Sequence, residues 1–576
     1  MKNLIARLPL WLSYALVIVC SIKSLREPDL WWQIRTGEWI LDHGQVPTRD
    51  IFSMTMYGQE WINIKWGFEV LAALISRHLG PENIFILQII CSVLILFFLR
   101  KILQLFNIQS RGVFFVSTVL LLFGIEYRII GRPEMFSHLF TVVFVYLLLR
   151  NHQKETKWIW LIIPLQILWT NMHEAYGIGI VLMGIVLFAE WFRSWKYSLK
   201  KPWTLSLITI LASACLAINP RGILLLTRPL NIFSQVQENT YTTELSGIFS
   251  SDFWQYQSVL FVAMLLAIIL YLIQWVKSKR QLPFPLFYGL LLLAFAILAM
   301  MAYRNLIFFF LLCFPALAWI LNQTKLREDR WSGLLILIGI TFYGIIVSGT
   351  WYRITKSRDR FGLEVLSTNN PAGASDYILS KGLQSKKCFS DYLSSSYLLW
   401  RLQPNFKTYI DLRDLDVFPT HFFDHYLHVV NEPDSFHVLD LKENYDYVVL
   451  YRNATPRLHA YLYTDTIYAC TFADPVAVVY EKTDHFSRED IFQQPKAIES
   501  SSLALFINQL TNPFYRSYPY DELNIDMTAA EYYFNVGRLS LAEKRIDRLL
   551  SMNPEHQNGL ALKQKIKEIK AKMNIP

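Results

Sequence analysis

Directly after its first apolar run the chain reads Glu27-Pro28-Asp29-Leu30-Trp31-Trp32, then Arg35-Thr36-Gly37-Glu38-Trp39-Ile40-Leu41. A carboxylate at Asp29, between an apolar helix and an amphipathic one, has the chemistry of a general base for an acceptor hydroxyl. It equally suits a divalent-metal ligand beside a pyrophosphate-like group. The competing reading is an N-cap for a helix beginning at Leu30, a place aspartate favours because its oxygen accepts a free backbone N–H. For a second carboxylate the downstream alternatives are Asp50, Glu60 and Glu69.

More ionisable residues stand at the ends of apolar runs: Arg128, Arg132 and Glu134; Asn171, His173 and Glu174; Arg221 after Asn219-Pro220; and Arg304-Asn305. Charge at membrane depth is costly and faces a cavity or another charge. The guanidinium forks of Arg132, Arg221 and Arg304 match a phosphate group bidentately, with interfacial snorkelling as the alternative. Glu134, His173 and Glu174 are further candidates for lining the same cavity. His173 suits a proton acceptor or a metal ligand, and next to Glu174 a plain hydrogen-bonded pair.

Helices must position these groups. Of the 576 residues 53% are hydrophobic and 18% charged, below the roughly 25% charged of soluble domains. The deficit lies in the first 350 residues, where apolar runs cover Leu4–Ile22, Ile84–Leu99, Gly112–Ile125, Met135–Leu149, Trp158–Thr170 and Tyr176–Phe192. Others cover Leu205–Ile218, Val259–Val276, Leu286–Tyr303, Leu306–Leu321 and Gly333–Thr350. Lipid offers no water to unpaired backbone groups, so each run is expected to be helical. Flanking residues are expected to extend the shorter ones toward the ~20 residues of a span. The expected fold is an α-helical polytopic bundle of about 11 transmembrane helices over residues 1–353. Lys2 and Arg7 before the first run resemble a signal peptide, but no small-residue cleavage pattern follows, which favours an uncleaved first helix.

The net charge of +9 does not describe a nucleic-acid surface, because the Lys and Arg collect in short connections. Every second connection is basic: Lys2 and Arg7; Arg100, Lys101 and Arg111; Arg150, Lys154 and Lys157; Arg193, Lys196, Lys200 and Lys201; Lys277, Lys279 and Arg280; Lys325, Arg327 and Arg330. The positive-inside rule assigns them to the cytoplasm, with the N-terminus, and puts the C-terminal region outside. The opposite face holds a long first loop, residues 23–83, in which Trp31, Trp32, Ile34, Trp39, Ile40 and Leu41 recur at helical spacing. So do Trp66, Phe68, Val70, Leu71, Leu74 and Ile75. Both sets read as amphipathic helices with Trp at the depth of an interfacial belt, or as caps on the bundle.

Asp29 after the first run, two amphipathic helices in a long external loop and some eleven spans resemble the GT-C membrane glycosyltransferases. The stretches Glu27–Leu41 and Arg49-Asp50-Ile51-Phe52-Ser53 are similar to a group of bacterial multi-pass membrane proteins of that architecture. The resemblance implies an acid early in the first external loop as the catalytic residue, and a polyprenyl-phosphate-linked sugar donor entering from the bilayer. It further implies a glycan, lipid or protein acceptor on the outer face of a bacterial plasma membrane. The chain departs from the pattern in lacking a clean Asp-x-Asp in that loop.

Beyond Arg353 strand-like pieces (Lys387–Phe389, Thr408–Leu412, Tyr447–Tyr451, Ile467–Phe472, Ala477–Tyr480) alternate with helical ones (Ala372–Leu383, Tyr397–Leu402, Pro419–Val430). That alternation predicts an extracytoplasmic α/β domain over 354–500. No GxGxxG or P-loop marks a nucleotide site. Tyr409-Ile410-Asp411-Leu412-Arg413-Asp414 ends a strand-like piece in charge, as a ligand-binding strand end or as turn chemistry with a local ion pair. Residues 501–576 are helical, and Ala529–Leu539 with Ala542, Leu549, Leu550 and Pro554 resembles one tetratricopeptide repeat. It is expected to dock on its own domain, with recruitment of an envelope protein as the alternative. Cys20, Cys91, Cys215 and Cys313 read as small hydrophobes, while the pairing of Cys388 with Cys470 is left open. Two functions compete with sugar transfer: a non-catalytic membrane scaffold, and a transporter or flippase, for which the chain shows no internal repeat.

Overall fold

A computed structural model describes residues 7–228, 245–249, 255–277, 284–324, 331–357, 359–413, 416–483, 489–515 and 522–573. Lys2, Lys279, Arg280, Lys325, Arg327, Arg330, Asp414 and the Lys277 side chain lie outside the described residues.

The N-terminal part is a helical bundle. Its helices are α1 (Leu8–Cys20), α2 (Asp29–His43), α3 (Trp66–Leu79), α4 (Phe85–Leu105), α5 (Arg111–Ile125), α6 (Glu134–Gln153) and α7 (Ile162–Thr170). They continue with α8 (Gly177–Lys196), α9 (Trp203–Ala214), α10 (Tyr256–Lys277), α11 (Leu286–Met301), α12 (Leu306–Asn322), α13 (Ser332–Val347) and α14 (Thr350–Ile354). Every apolar run became a helix, but the expectation of about eleven spans is wrong. Among the described residues three helices are long and apolar enough to cross a membrane: Pro81–Leu105, Glu174–Lys196 and Tyr303–Asn322, of 25, 23 and 20 residues. At 1.5 Å per residue a 30 Å hydrocarbon layer needs about 20 residues. The 13 residues of α1, the 12 of α9 and the 16 of α11 and α13 fall short. A helical turn carries α9 on to Ala217, still short of a span, and prolines mark the N-terminal ends of three of the four. Pro9 is the second residue of α1, and Pro202 and Pro285 stand directly before α9 and α11. α6 has 20 residues but carries Glu134, His138, Arg150 and His152. Three helices of spanning length are consistent with association with a membrane, and no larger count is supported.

α12 forms the centre, with every residue from Leu306 to Ala316 buried and with α4, α5, α6, α10 and α11 packed around it. The connections form two ends. At one, Gln153 reaches the Leu105 carbonyl and Lys200 reaches Glu155, joining three basic connections. At the other, the Trp66 indole and the Asn219 amide both donate to the Asn171 side-chain oxygen, at 2.6 and 2.9 Å.

The amphipathic pair α2 and α3 did form, but Trp31 and Trp32 are buried in protein and not in an interfacial belt. Trp31 and Trp32 are each 1% exposed. The C-terminal part covers them: Tyr397 and Trp400 pack on Trp31 at ring distances of 4.9 and 4.7 Å, and Asn370 accepts its indole N–H. Amphipathicity reported a buried face but not what would bury it.

That C-terminal part holds a four-stranded mixed sheet, β1 (Cys388–Ser390), β2 (Tyr447–Tyr451), β3 (Tyr468–Ala473) and β4 (Ala477–Lys482), in the order β1-β2-β4-β3. β1 runs parallel to β2, and the other pairs are antiparallel. Thr408–Leu412 is not a strand: Thr408 makes a single bridge to Ser53 and a turn follows. The helix read from Tyr397 starts at Tyr392, because Asp391 caps it through the Leu393 and Ser394 amides. Cys388 and Cys470 are separate thiols. They lie on the two edge strands of the sheet, about 14 Å apart at ~4.8 Å per strand step, beyond disulfide reach. The tail helices α15 (Glu522–Asn535) and α16 (Leu539–Met552) share one apolar core with the sheet through Tyr532, Tyr533, Ile546 and Leu549. Arg545 ties them to Asp490 at 2.6 Å.

Candidate functional site

The acidic candidates of the long loop have different fates. Asp50 is sealed into the seam between the loop and the sheet domain. Its oxygens accept from the Phe52 and Ser53 amides and from the Ser53 hydroxyl, and from Arg413 at 2.6 Å. Arg413 also pairs with Asp411 at 2.7 Å, and the three side chains are fully buried. Its guanidinium lies 4.8 Å from the Trp61 ring centre. Burial pushes the Asp50 carboxyl up, but Arg413 and the hydrogen-bond donors outweigh that and hold it below its ordinary value. The local ion pair read at Asp411 therefore exists, with a third member from the other end of the chain.

Asp29 is the first residue of α2, and its side chain caps nothing. Proline at 28 moves the helix start one residue earlier than the capping reading requires, so the carboxylate is spared from the backbone. It receives the Trp32 indole at 3.5 Å and faces the Arg132 guanidinium at 3.4 Å, with its side chain 29% exposed. Glu27 holds the Nε side of the same arginine. Burial pushes the Glu27 carboxyl up, against the pull of Arg132.

Next to this group stands Lys65, whose ammonium lies between Glu174 at 3.0 Å and Asp416 at 3.1 Å, over the face of Trp32. Burial pulls the lysine down, but the charges of Asp416, Glu174 and Asp29 more than reverse it. Burial pushes the Asp416 carboxyl up to about 6 even beside Lys65. Burial drives the His173 imidazole down to about 3. Its Nδ1 takes the Ala175 amide at 3.3 Å and meets the Ser137 hydroxyl at 2.7 Å, which leaves it neutral and committed. His173 and Glu174 are thus not each other's partners. Arg304, half-buried in the turn Tyr303–Asn305, makes no ion pair among the described residues, though its charge acts on His173.

The remaining candidates lie around this cluster. Glu134 pairs with Arg128. Glu60 pairs with Arg221 at the surface, so two separate candidates satisfy each other. Glu69 is buried where α3 meets α2. Asn63 donates to one of its oxygens at 2.6 Å, the other has no partner, and burial pushes its carboxyl up to about 8. α2 comes close enough there that a Cβ on Gly37 would lie 2.0 Å from the Glu69 carbonyl oxygen.

The described side chains do not form a divalent-metal site. Among the described residues no three His, Cys, Asp or Glu groups converge as ligands would. The position between Glu174 and Asp416 is taken by the Lys65 ammonium. Nothing in the sequence marks Lys65 and Asp416 as site residues. Lys65 reads there as the polar residue ahead of a helix, and Asp416 is one acid in a loop some 350 positions downstream. No local signal joins them. No family model matches the chain, and no curated protein matches it.

Proposed function

We propose that the protein transfers a sugar from a polyprenyl-phosphate-linked donor to an acceptor hydroxyl, with Asp29 as the general base. The observation that carries the reading is the state of Asp29. It is the most exposed carboxylate of its cluster, uncapped and oriented by Arg132, while Glu27, Glu174 and Asp416 are tied to cations. In the reaction Asp29 takes the proton of the acceptor hydroxyl as its oxygen attacks the anomeric carbon. The bond from that carbon to the phosphate oxygen breaks, and its electron pair leaves with the polyprenyl phosphate. Of the three arginine candidates, Arg304 alone has a fork not engaged by a carboxylate among the described residues, and we assign it to the leaving phosphate. The Asp29 face belongs on the outer side of a bacterial plasma membrane in this reading, with the N-terminus cytoplasmic, because the basic connections collect at the other end.

The test is sugar transfer by the whole protein from a panel of polyprenyl-phosphate donors. Asp29→Asn should lower the rate about 10²- to 10⁴-fold, and Arg304→Ala should raise the KM for the donor. An active protein indifferent to Asp29→Asn would remove the base assignment. The second reading is a non-catalytic membrane scaffold, favoured by one fact: the other acids of the cluster are already neutralised by ion pairs. A wild-type protein that uses none of the donors would make it the leading one.

A further inference from the structure

The opposite end of the bundle, where the basic connections meet, contains a recess of about 550 Å³. It opens where α6 leads into α7 and α8 into α9. Leu148, Val186 and Leu205 form apolar parts of its wall, and Trp160 and Trp203 stand exposed at its mouth. Both the size and the mixture of apolar wall with a few polar groups are those of a small-molecule site.

Its charge is unbalanced. Lys157, Arg193, Lys200 and Lys201 line it against Glu155 and Glu190. Each acid is already engaged, Glu155 by Lys200 at 3.1 Å and Glu190 by His152 at 2.5 Å and Arg193 at 3.5 Å. Lys157 and Lys201 have no carboxylate partner among the described residues. Two uncommitted ammonium groups thus border one cavity, flanked by indoles of the kind that sit at headgroup depth. An ammonium is a compact point charge with three donors, suited to phosphate oxygens.

We propose that this recess binds a phosphate-bearing anion, through Lys157 and Lys201, with Trp160 and Trp203 flanking it. The chemistry is shared by an anionic phospholipid headgroup and by free phosphate, and it is independent of sugar transfer at the Asp29 face.

The experiment uses the full chain in phosphatidylcholine nanodiscs containing some phosphatidylglycerol, with the lipids retained on release identified by native mass spectrometry. Wild-type protein should retain phosphatidylglycerol over phosphatidylcholine. Lys157→Gln with Lys201→Gln should weaken retention about fivefold per lysine. Lys101→Gln with Arg111→Gln, on the same face outside the recess, should leave it unchanged. A parallel arm measures inorganic phosphate binding to the same three proteins. Displacement of phosphatidylglycerol by millimolar phosphate identifies the phosphate group alone as the ligand, and resistance to it identifies the lipid. Raised salt should weaken wild-type retention without any substitution. The proposal is overturned if both lipids are retained equally and phosphate binding is absent. It is equally overturned if the double variant matches the wild type on whichever probe the wild type binds.

Discussion

Asp50 and Asp29 lie on the same loop and have the same side chain, yet their surroundings give them opposite properties. Asp50 is fully buried, accepts four hydrogen bonds and shares Arg413 with Asp411. Asp29 is partly open to water, touches one arginine at the long end of ion-pair range and caps nothing. A carboxylate whose lone pairs are all occupied holds the loop on the sheet domain and has nothing left to give an incoming proton. One whose neighbours are mutually neutralised can still accept it. The difference separates an anchor from a candidate base without reference to the residue type.

The comparison can be broken from the anchor side first. Arg413→Ala leaves Asp50 and Asp411 buried without their counter-charge, and should cost about 3–5 kcal/mol of stability. Denaturant unfolding measures this, and a loss under about 1 kcal/mol would mean the seam is not closed by the triad. Next in size is the contact of α2 with α3. Gly37→Ala forces a methyl group into the Glu69 backbone and should cost about 1–3 kcal/mol, read as a lower melting midpoint.

Glu69 itself gives a pH dependence. Its folded pKa, raised from 4.5 to about 8, means that between those values the folded protein holds a proton the unfolded chain has released. Stability should therefore fall as pH rises from about 5 to 8, by at most about 1.4 kcal/mol per pH unit. Glu69→Gln should flatten the profile over that window, and an unchanged slope would place the titration elsewhere. The smallest expected effect sharpens the contrast: Asp29→Asn should change stability by less than about 1 kcal/mol, since it weakens one exposed ion pair and a helix-dipole contact. A loss comparable to that of Arg413→Ala would make Asp29 a second anchor.

Much of the secondary structure was legible in the sequence. The apolar runs became helices, the periodicity of Trp31–Leu41 and Trp66–Ile75 became α2 and α3, and four of the five strand-like pieces became the sheet. The fifth, Thr408–Leu412, failed because its β-branched and apolar composition serves a turn that packs Asp411 against Arg413. The count of spans failed for a related reason. Hydropathy reports that a segment avoids water, and a short helix packed on protein satisfies that as well as a long one in lipid.

Of the site, the sequence by itself determined Asp29 and the arginines as charges stranded next to apolar helices, because such placement is costly and shows in one dimension. Only the tertiary structure decided which of them meet. Lys65 lies between Glu174 and Asp416, Arg132 between Glu27 and Asp29, and Arg413 draws Asp50 out of contention. Local order is set by steric and solvation preferences of neighbouring residues, which the sequence carries directly. Ion pairing in a protein interior depends on distance and burial between residues hundreds of positions apart, and these exist only once the chain has folded.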